Sequence, residues 1–312
     1  MKEYEYTDKV MGTELSVSIV CNSKELADEL YQEALDEIQN YEKCFSRFLP
    51  ESELSQLNKN KKAVVSEIFI EVLIKAKELF QETKGAFNPL VQIERLGYNK
   101  TFEEIKNKEV KNIETLPKEN KVATEKKFDE IYDVDFSKVI IDQNLSKVIL
   151  LAGQKLDFGG ILKGYLAEKI AKKIKNDYEK IQGVIVNLGG DIHTQGLDEN
   201  NQHFIFNIFN PTNEQDDISV KLYNESLATS GIYKRVWQNS GRKIHHLLDQ
   251  TGTKNPAVDV LSVSVIHKDG GRADAYTKLF LNLGHEEAMK ILGSNEIKFI
   301  IIKNNGEIIK KV

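Results

Sequence analysis

The sequence predicts a protein of the α+β class, with strands and helices that alternate in no regular βαβ order. Two observations support this class. Segments with the alternating pattern of strands are mixed along the chain with segments whose apolar residues recur at helical spacing. The 312 residues are also 40% hydrophobic and 29% charged, which is typical of a globular protein with a full core. A length prior of about 150 residues per domain allows about two domains.

The N-terminal part of the chain predicts one strand followed by two helices. Residues 13–20 alternate apolar and polar side chains, as a half-buried strand does. A helix is expected from about Asn22, which together with Glu25 resembles a capping box. A second helix is expected to open at Ser66 and to end at Gly85.

The rest of the chain contains one strongly charged segment and a mixture of both element types. Residues 99–130 are rich in Lys and Glu, and we interpret them as an exposed excursion. Strands are predicted at 184–187, 203–209, 261–267 and 298–303, and helices at about 161–175 and 273–283.

Charge, cysteine content and hydropathy restrict the function classes. The net charge of −5 argues against nucleic acid or an anionic membrane as the main partner. Cys21 and Cys44 are the only cysteines, which suits a reducing compartment, and their spacing fits no zinc motif. No apolar run reaches the ~20 residues that span a bilayer. Residues 1–20 contain no export signal, so we expect a cytoplasmic protein unless such a signal was trimmed.

The stretch LDFGGILKGY, residues 156–165, places Asp157 and Lys163 on either side of a glycine pair, just before a predicted helix. Glycines allow the backbone to turn sharply or to approach a ligand closely. The simple interpretation is a helix start with a surface salt bridge, and the alternative is a seat for a phosphate and its metal ion. The stretch fits neither the Walker loop, because Gly164 follows the lysine, nor the dinucleotide fingerprint.

Two aspartates and a histidine pair are further candidates for chemistry. Asp274 lies near the start of the last predicted helix, where a carboxylate caps a helix or holds a hard cation such as magnesium. Asp191 follows a Gly-Gly turn, and we interpret it as a turn-forming residue. His245 and His246 are adjacent, so on a strand at most one of them enters a given site.

Taken in order, these and other stretches resemble the motifs of the ApbE family, the FAD:protein FMN transferases. The stretches are MGTELSV (11–17), FSRFLPESELSQLN (45–58), GAFNPLV (85–91), LDFGGILKGYLAEKIA (156–171), VNLGGDIHTQG (186–196), LATSGIYKR (227–235), HHLLDQTG (245–252) and ADAYTKLFLNLG (273–284). Each motif alone is modest, and their joint presence in this order carries the resemblance.

The resemblance implies a single α+β unit over residues 1–312, with FAD bound across it. It implies that the FMN half of FAD is transferred to a Ser or Thr hydroxyl of a target flavoprotein. The products would be a phosphoester-linked FMN and AMP, and the reaction would require a divalent ion, usually Mg²⁺. The implied partners are FAD and the target flavoprotein, with no nucleic acid and no direct membrane insertion.

The resemblance also assigns roles to individual residues. Asp274 would be the metal carboxylate, with Thr277 beside it and the carbonyl of Gly160 facing the ion. Asp157 and Lys163 would bind FAD. The other nucleotide contacts would come from Met11, Phe48, Ala86, Phe87, Asn88 and Leu248.

Three positions depart from the family pattern. Asn88 stands where the family usually has Asp, and Gln250 stands where it often has Pro. Lys278 stands where the family usually has a Thr that contacts the metal, and Thr277 is the neighbour that would substitute for that contact.

Two other functions would use the same motifs. In a FAD pyrophosphatase, water would replace the protein hydroxyl. In a non-catalytic FAD-binding carrier, the ammonium of Lys278 would replace the ion. For the transferase, a base near the hydroxyl would help; Asp274 and His246 are both candidates, and the sequence does not choose between them.

Overall fold

The computed structural model describes residues 1–92, 133–213, 216–233, 236–239, 242–245, 248–249, 252, 255–256, 258–293 and 297–312. The excursion predicted at 99–130 lies outside these ranges. The described residues form helices and strands in mixed order, which confirms the predicted α+β class.

The helices of the described residues are α1 (Lys24–Phe45), α2 (Glu53–Asn60), α3 (Glu67–Glu82), α4 (Leu162–Asp177) and α5 (Gly270–Leu292), with a 3₁₀ turn at Phe136–Lys138. Within these ranges, no helix has the length and apolar character needed to cross a membrane.

The strands are β1 (Lys2–Val10), β2 (Thr13–Cys21), β3 (Lys62–Val64), β4 (Ile140–Asp142), β5 (Lys147–Ile149), β6 (Gly183–Leu188), β7 (Asp191–Gly196), β8 (Phe204–Ile208), β9 (Ile218–Leu222), β10 (Ser226–Gly231), β11 (Val236–Asn239), β12 (Arg242–His245), β13 (Val260–His267), β14 (Lys298–Lys303) and β15 (Ile308–Lys311). The four strands predicted after residue 180 correspond to β6, β8, β13 and β14.

A central antiparallel sheet organises these elements. Its eight strands lie in the order β1-β2-β6-β7-β10-β13-β14-β15, and each neighbouring pair is antiparallel. Smaller sheets are formed by β3, β5 and β4, by β8 and β9, and by β11 and β12. Strands from both ends of the described chain therefore belong to the same sheet.

Apolar side chains cover both faces of the central sheet. On one face, α1 packs on β2, α4 on β6 and β7, and α5 on β10 and β13. On the other face, the β8–β9 hairpin contributes Ile208 and Leu222 to a cluster with Ile266 and Ile300. Full burial of such a side chain stabilises the folded state by roughly 1.5–3 kcal/mol. Apolar contacts on both faces therefore hold the helices and the hairpin on the sheet.

Side-chain caps explain where the first helices begin. Ser66 caps α3 as predicted, and its hydroxyl accepts a first-turn N–H at 3.3 Å. In α1 the cap is Ser23, whose hydroxyl accepts an N–H at 3.2 Å, so the prediction of Asn22 was wrong by one residue. Helix α4 has no side-chain cap at Ile161. The positive end of α4 is therefore not neutralised by a capping side chain.

Helix α5 differs from the predicted helix at both ends. It begins at Gly270, because the carboxylate of Asp269 accepts the N–H of Arg272 at 2.8 Å and so acts as the N-cap. It ends at Leu292 and not at the predicted 283, although the backbone of Gly284 inside it is non-helical (φ 76°, ψ 176°). Asp274 lies inside the helix and does not cap it.

Helices α4 and α5 touch through their backbones near their N-termini. A Cβ atom on Gly164 would lie 2.3 Å from the carbonyl oxygen of Gly270, and one on Gly270 would lie 2.1 Å from the carbonyl oxygen of Gly164. The carboxylate of Glu168 also accepts the N–H of Gly270 at 2.6 Å. Only glycine allows this approach, which places the N-terminal turns of α4 and α5 side by side.

One buried histidine lies on β7, next to these helices. His193 Nδ1 is 2.6 Å from Ser226 Oγ, and its Nε2 is 2.8 Å from Gln195 Nε2. Burial, with a smaller effect of the charge of Lys172, lowers the pKa of His193 to about 3. The folded protein therefore holds this ring neutral.

We predict that Gly164→Ala destabilises the protein by about 2–3 kcal/mol, because overpacking against a backbone forces the two helices apart. Urea unfolding monitored by circular dichroism would measure the loss. The matched control is Asn176→Ala on the exposed side of the same helix, with an expected change within about 0.5 kcal/mol. Equal stability of the two variants would contradict the close contact.

A second prediction concerns the pH dependence of stability. The unfolded chain protonates His193 below its ordinary pKa of 6.5, whereas the folded protein does so only near pH 3. The free energy of unfolding should therefore fall as the pH falls through this window, by up to about 1.4 kcal/mol per pH unit from this group. His193→Gln should remove the contribution of this residue to the pH dependence of the unfolding free energy. His203→Gln, at an exposed position, should leave that pH dependence unchanged. An identical slope in both variants would refute the assignment.

Candidate active site

Four charged side chains meet where α4, α5 and β7 come together. The ammonium of Lys163, in the first turn of α4, donates to the carboxylate of Asp191 at the start of β7. The ammonium of Lys278 donates to Oδ1 of Asp274, one turn earlier in α5. Both carboxylates are buried, with Asp191 2% and Asp274 0% exposed. We call Lys163, Asp191, Asp274 and Lys278 the charge cluster.

Asp274 has a carboxyl group whose pKa is strongly perturbed. Burial, reinforced by the nearby charge of Asp191, raises the pKa of its carboxyl to about 6, and the ammonium groups of Lys278 and Lys163 oppose this rise. Its Oδ2 atom is buried and has no hydrogen-bond partner among the described residues. A buried carboxylate oxygen without a partner is costly in a protein interior, so this atom is the natural contact for a bound cation.

Two hydroxyl groups, those of Thr277 and Ser230, lie next to the Asp274–Lys278 pair. The Thr277 hydroxyl donates to the backbone carbonyl of Asp274 at 2.6 Å and lies 2.7 Å from Ser230 Oγ. Lys278 Nζ donates to the same Ser230 hydroxyl at 3.1 Å. Ser230 comes from strand β10, and the sequence offered only its place in a TSG stretch as a signal.

The second glycine of LDFGGILKGY, Gly160, lies against the side chains of Phe87 and Lys278. A Cβ on Gly160 would be 3.2 Å from the Phe87 ring and 3.5 Å from Cε of Lys278. The structure therefore brings Gly160 and Phe87 together with Asp274, Thr277 and Lys278, as expected for a common site.

Asp157 has a partner that the sequence did not indicate. Its Oδ1 accepts the N–H of Gly159 at 2.8 Å, and its Oδ2 accepts from Arg47 Nη1 at 3.3 Å. The Arg47 guanidinium also lies 4.7 Å from the centre of the Phe48 ring, which is 46% exposed. The two charges of LDFGGILKGY thus form salt bridges with separate partners, Asp157 with Arg47 and Lys163 with Asp191.

Asp191 was also misinterpreted. The turn before it is formed by Gly189 and Gly190, which have φ values of 65° and 99°, and the Asn187 side chain accepts the N–H of Gly190 at 2.9 Å. The carboxylate of Asp191 instead binds Lys163, which lies 28 positions earlier in the chain. No local pattern could have identified this partner.

Three further predicted FAD contacts, Met11, Ala86 and Asn88, lie in turns and loops of the described chain. Met11 is half-buried in the turn between β1 and β2, with φ 53°. Asn282 Nδ2 donates to the carbonyl of Ala86 at 2.7 Å, which ties that loop to α5. Asn88 uses its side chain within the loop, donating to the carbonyl of Val134 at 2.8 Å and accepting the N–H of Leu90 at 3.0 Å.

The His segment remains the least defined part of the predicted site. Leu248 is buried and stays a predicted FAD contact. His246 lies outside the described residues, and for His245 only the backbone, at the end of β12, is described.

The donor groups around Asp274 fit a magnesium ion. Magnesium takes one or two protein carboxylates and completes its octahedron with phosphate oxygens and water. Oδ2 of Asp274 has no hydrogen-bond partner among the described residues, and the Thr277 hydroxyl donates to the backbone carbonyl of the same aspartate. The Gly160 backbone adjoins the side chain of Lys278, which contacts the other carboxylate oxygen. Within the described ranges, no three His, Cys, Asp or Glu side chains form a metal cluster.

We predict that Lys163→Ala weakens FAD binding about tenfold and affects turnover less, because an ammonium at a helix N-terminus acts as a point charge for phosphate. Quenching of flavin fluorescence would measure the affinity. Lys173→Ala is the matched control, since Lys173 lies on the same helix and pairs with Glu37 at 2.8 Å. A collapse of turnover with unchanged affinity would assign Lys163 to the chemical step instead.

Comparison with known proteins identifies the family. The model of the ApbE family matches residues 11–301. An FAD:protein FMN transferase of Klebsiella pneumoniae is 25% identical over 98% of this chain and 91% of its own length, and one of Treponema pallidum is 26% identical over 94% and 82%.

Solved structures show the same fold. The ApbE protein of Thermotoga maritima superposes with a TM-score of 0.82 at 24% identity, over 99% of this chain and 97% of that one. The apo flavinyl transferase ApbE of Pseudomonas stutzeri gives 0.77 at 19% identity, over 99% and 94%. Since the family model extends over nearly the whole sequence, this chain belongs to the ApbE family.

Proposed function

We propose that this protein transfers the FMN moiety of FAD to a Ser or Thr hydroxyl of a target flavoprotein and releases AMP, in a magnesium-dependent reaction. The observation that carries the proposal is the buried Oδ2 atom of Asp274, which has no hydrogen-bond partner among the described residues. Asp274 belongs to the same charge cluster as Lys163, which lies at the start of α4, where no side chain caps the helix. A cation contact thus adjoins an anion contact, as a metal-bound pyrophosphate requires. The names of the relatives support the same activity.

The reaction exchanges one phosphorus–oxygen bond for another. The acceptor hydroxyl oxygen forms a bond to the phosphorus of the FMN half, and the bond from that phosphorus to the bridging oxygen breaks. The bridging oxygen leaves with AMP, and the hydroxyl proton passes to a base. Asp274 and His246 both remain candidates for this base.

Different residues of the proposed site would bind different parts of the substrate and the ion. Lys163 would hold the pyrophosphate at the start of α4, and Asp157, fixed by Arg47, would contact FAD. Asp274, Thr277 and the Gly160 carbonyl would hold the ion, which when bound would neutralise phosphate charge. Met11, Phe48, Ala86, Phe87, Asn88 and Leu248 would complete the nucleotide site.

We further propose that residues 1–312 act as one unit, which the shared central sheet supports. The FAD-binding carrier is the second candidate function. It is favoured by one observation, the ammonium of Lys278 bound to Asp274. The cytoplasmic location and the identity of the acceptor residue remain predictions from the sequence.

One experiment separates the candidates. The purified protein would be incubated with FAD and Mg²⁺, with and without a flavoprotein acceptor, and analysed for AMP by chromatography and for added FMN by mass spectrometry. Transfer that requires the acceptor supports the proposal. Rapid AMP release without acceptor identifies a pyrophosphatase, and FAD binding that EDTA does not affect, without turnover, identifies a carrier.

We predict that Asp274→Asn lowers FMN transfer by more than about 100-fold, because even partners that only orient metal ligands cost 10–100-fold when removed. Part of the loss should return at high Mg²⁺. The fold should persist, because Asp269 and not Asp274 caps α5. Asp177→Asn, at an exposed position of α4, should retain full transfer. Wild-type transfer and magnesium dependence in Asp274→Asn would exclude Asp274 as a metal ligand.

A further inference from the structure

Lys278 places an ammonium group on the carboxylate that is predicted to bind the metal ion. Its ammonium donates to Oδ1 of Asp274 and to the Ser230 hydroxyl, the latter at 3.1 Å. The stem of its side chain passes Gly160, with Cε 3.5 Å from a Cβ built there. Only 16% of the Lys278 side chain is exposed. The groups that fit a magnesium ion therefore already surround an ammonium.

The contact leaves one carboxylate oxygen for an ion. Lys278 binds Oδ1 of Asp274, whereas Oδ2 has no partner among the described residues. A divalent ion that binds Oδ2 would lie close to the ammonium and be repelled by it, because two cations would share one small carboxylate. The ammonium must therefore weaken ion binding or move away when the ion enters.

The charge cluster as a whole is balanced. Lys163 and Lys278 carry two positive charges, and Asp191 and Asp274 carry two negative charges when ionised. Without Lys278 the cluster would have an excess negative charge, which would repel a pyrophosphate until a metal ion arrived. With Lys278 present, an anion meets no net negative charge even when no metal is bound.

We infer that Lys278 is a built-in cation that competes with the divalent ion for Asp274 and lets FAD bind before the metal. The inference rests on the proposed function and refines it. Magnesium would act mainly on the bound nucleotide, and its affinity for the nucleotide-free protein would be low.

The test compares Lys278→Met with the wild-type protein, since methionine keeps much of the length of lysine and removes its charge. Mg²⁺ binding to the nucleotide-free protein would be measured by calorimetry, and FAD binding in EDTA by flavin fluorescence. We expect Lys278→Met to bind Mg²⁺ about tenfold more tightly and FAD in EDTA about tenfold more weakly, each corresponding to about 1.4 kcal/mol. Lys278→Arg, which keeps the charge, should show neither change of this size.

A matched control on the same helix is Lys290→Met, because Lys290 pairs with Glu287 at the surface, at 2.5 Å. It should behave as wild type in both titrations. Unchanged or weaker Mg²⁺ binding in Lys278→Met would overturn the inference, and so would unchanged FAD binding in EDTA.

The outcome is decisive even when Lys278→Met folds poorly. A variant that unfolds in EDTA and folds with Mg²⁺ supports the inference, because the ion then replaces the missing ammonium. If the variant folds under neither condition, the wild-type protein decides. Binding of FAD by the wild-type protein in EDTA supports the inference, and loss of FAD binding in EDTA overturns it. Wild-type protein that binds no FAD even with Mg²⁺ would instead contradict the proposed function.

Discussion

The contact between the backbones of Gly164 and Gly270 is the constraint on which the candidate site depends. It brings the N-terminal turns of α4 and α5 within van der Waals distance, closer than any residue with a Cβ atom permits. Lys163 directly precedes one glycine, and Asp274 follows the other by about one helical turn. An anion-binding ammonium and a cation-binding carboxylate therefore become neighbours because two helices cross without side chains between them.

The charge cluster places groups in the interior that would each be costly alone. Removing a carboxylate or an ammonium from water costs several kcal/mol, and pairing recovers this only when the geometry is good. Asp191 and Asp274 are both buried, and each has an ammonium partner. The Oδ2 atom of Asp274 is left without one. Such an unsatisfied atom weakens the fold, and it belongs to the residue that we propose as the metal carboxylate.

Much of the fold could be predicted from local patterns, and the errors have physical causes. The cap at Ser66 and the strand β14 were predicted at the observed residues, because capping and alternation depend on neighbours in sequence. Asn22 was preferred to Ser23 because Glu25 stands three positions after it, as in a capping box, although both residue types cap helices well. Asp274 was considered as a helix cap, and only the structure shows Asp269 in that role.

The sequence by itself determined the element types, the α+β class and the ordered motifs that mark the family, since these follow from short-range periodicity and from residues close together in the chain. Only the tertiary structure decided the partners of the site residues. Lys163 meets Asp191, and Lys278 meets Ser230 on β10, because antiparallel pairing and helix packing join segments that are 28 and 48 positions apart. Side-chain partners at such distances depend on how the elements pack, and no local pattern contains that information.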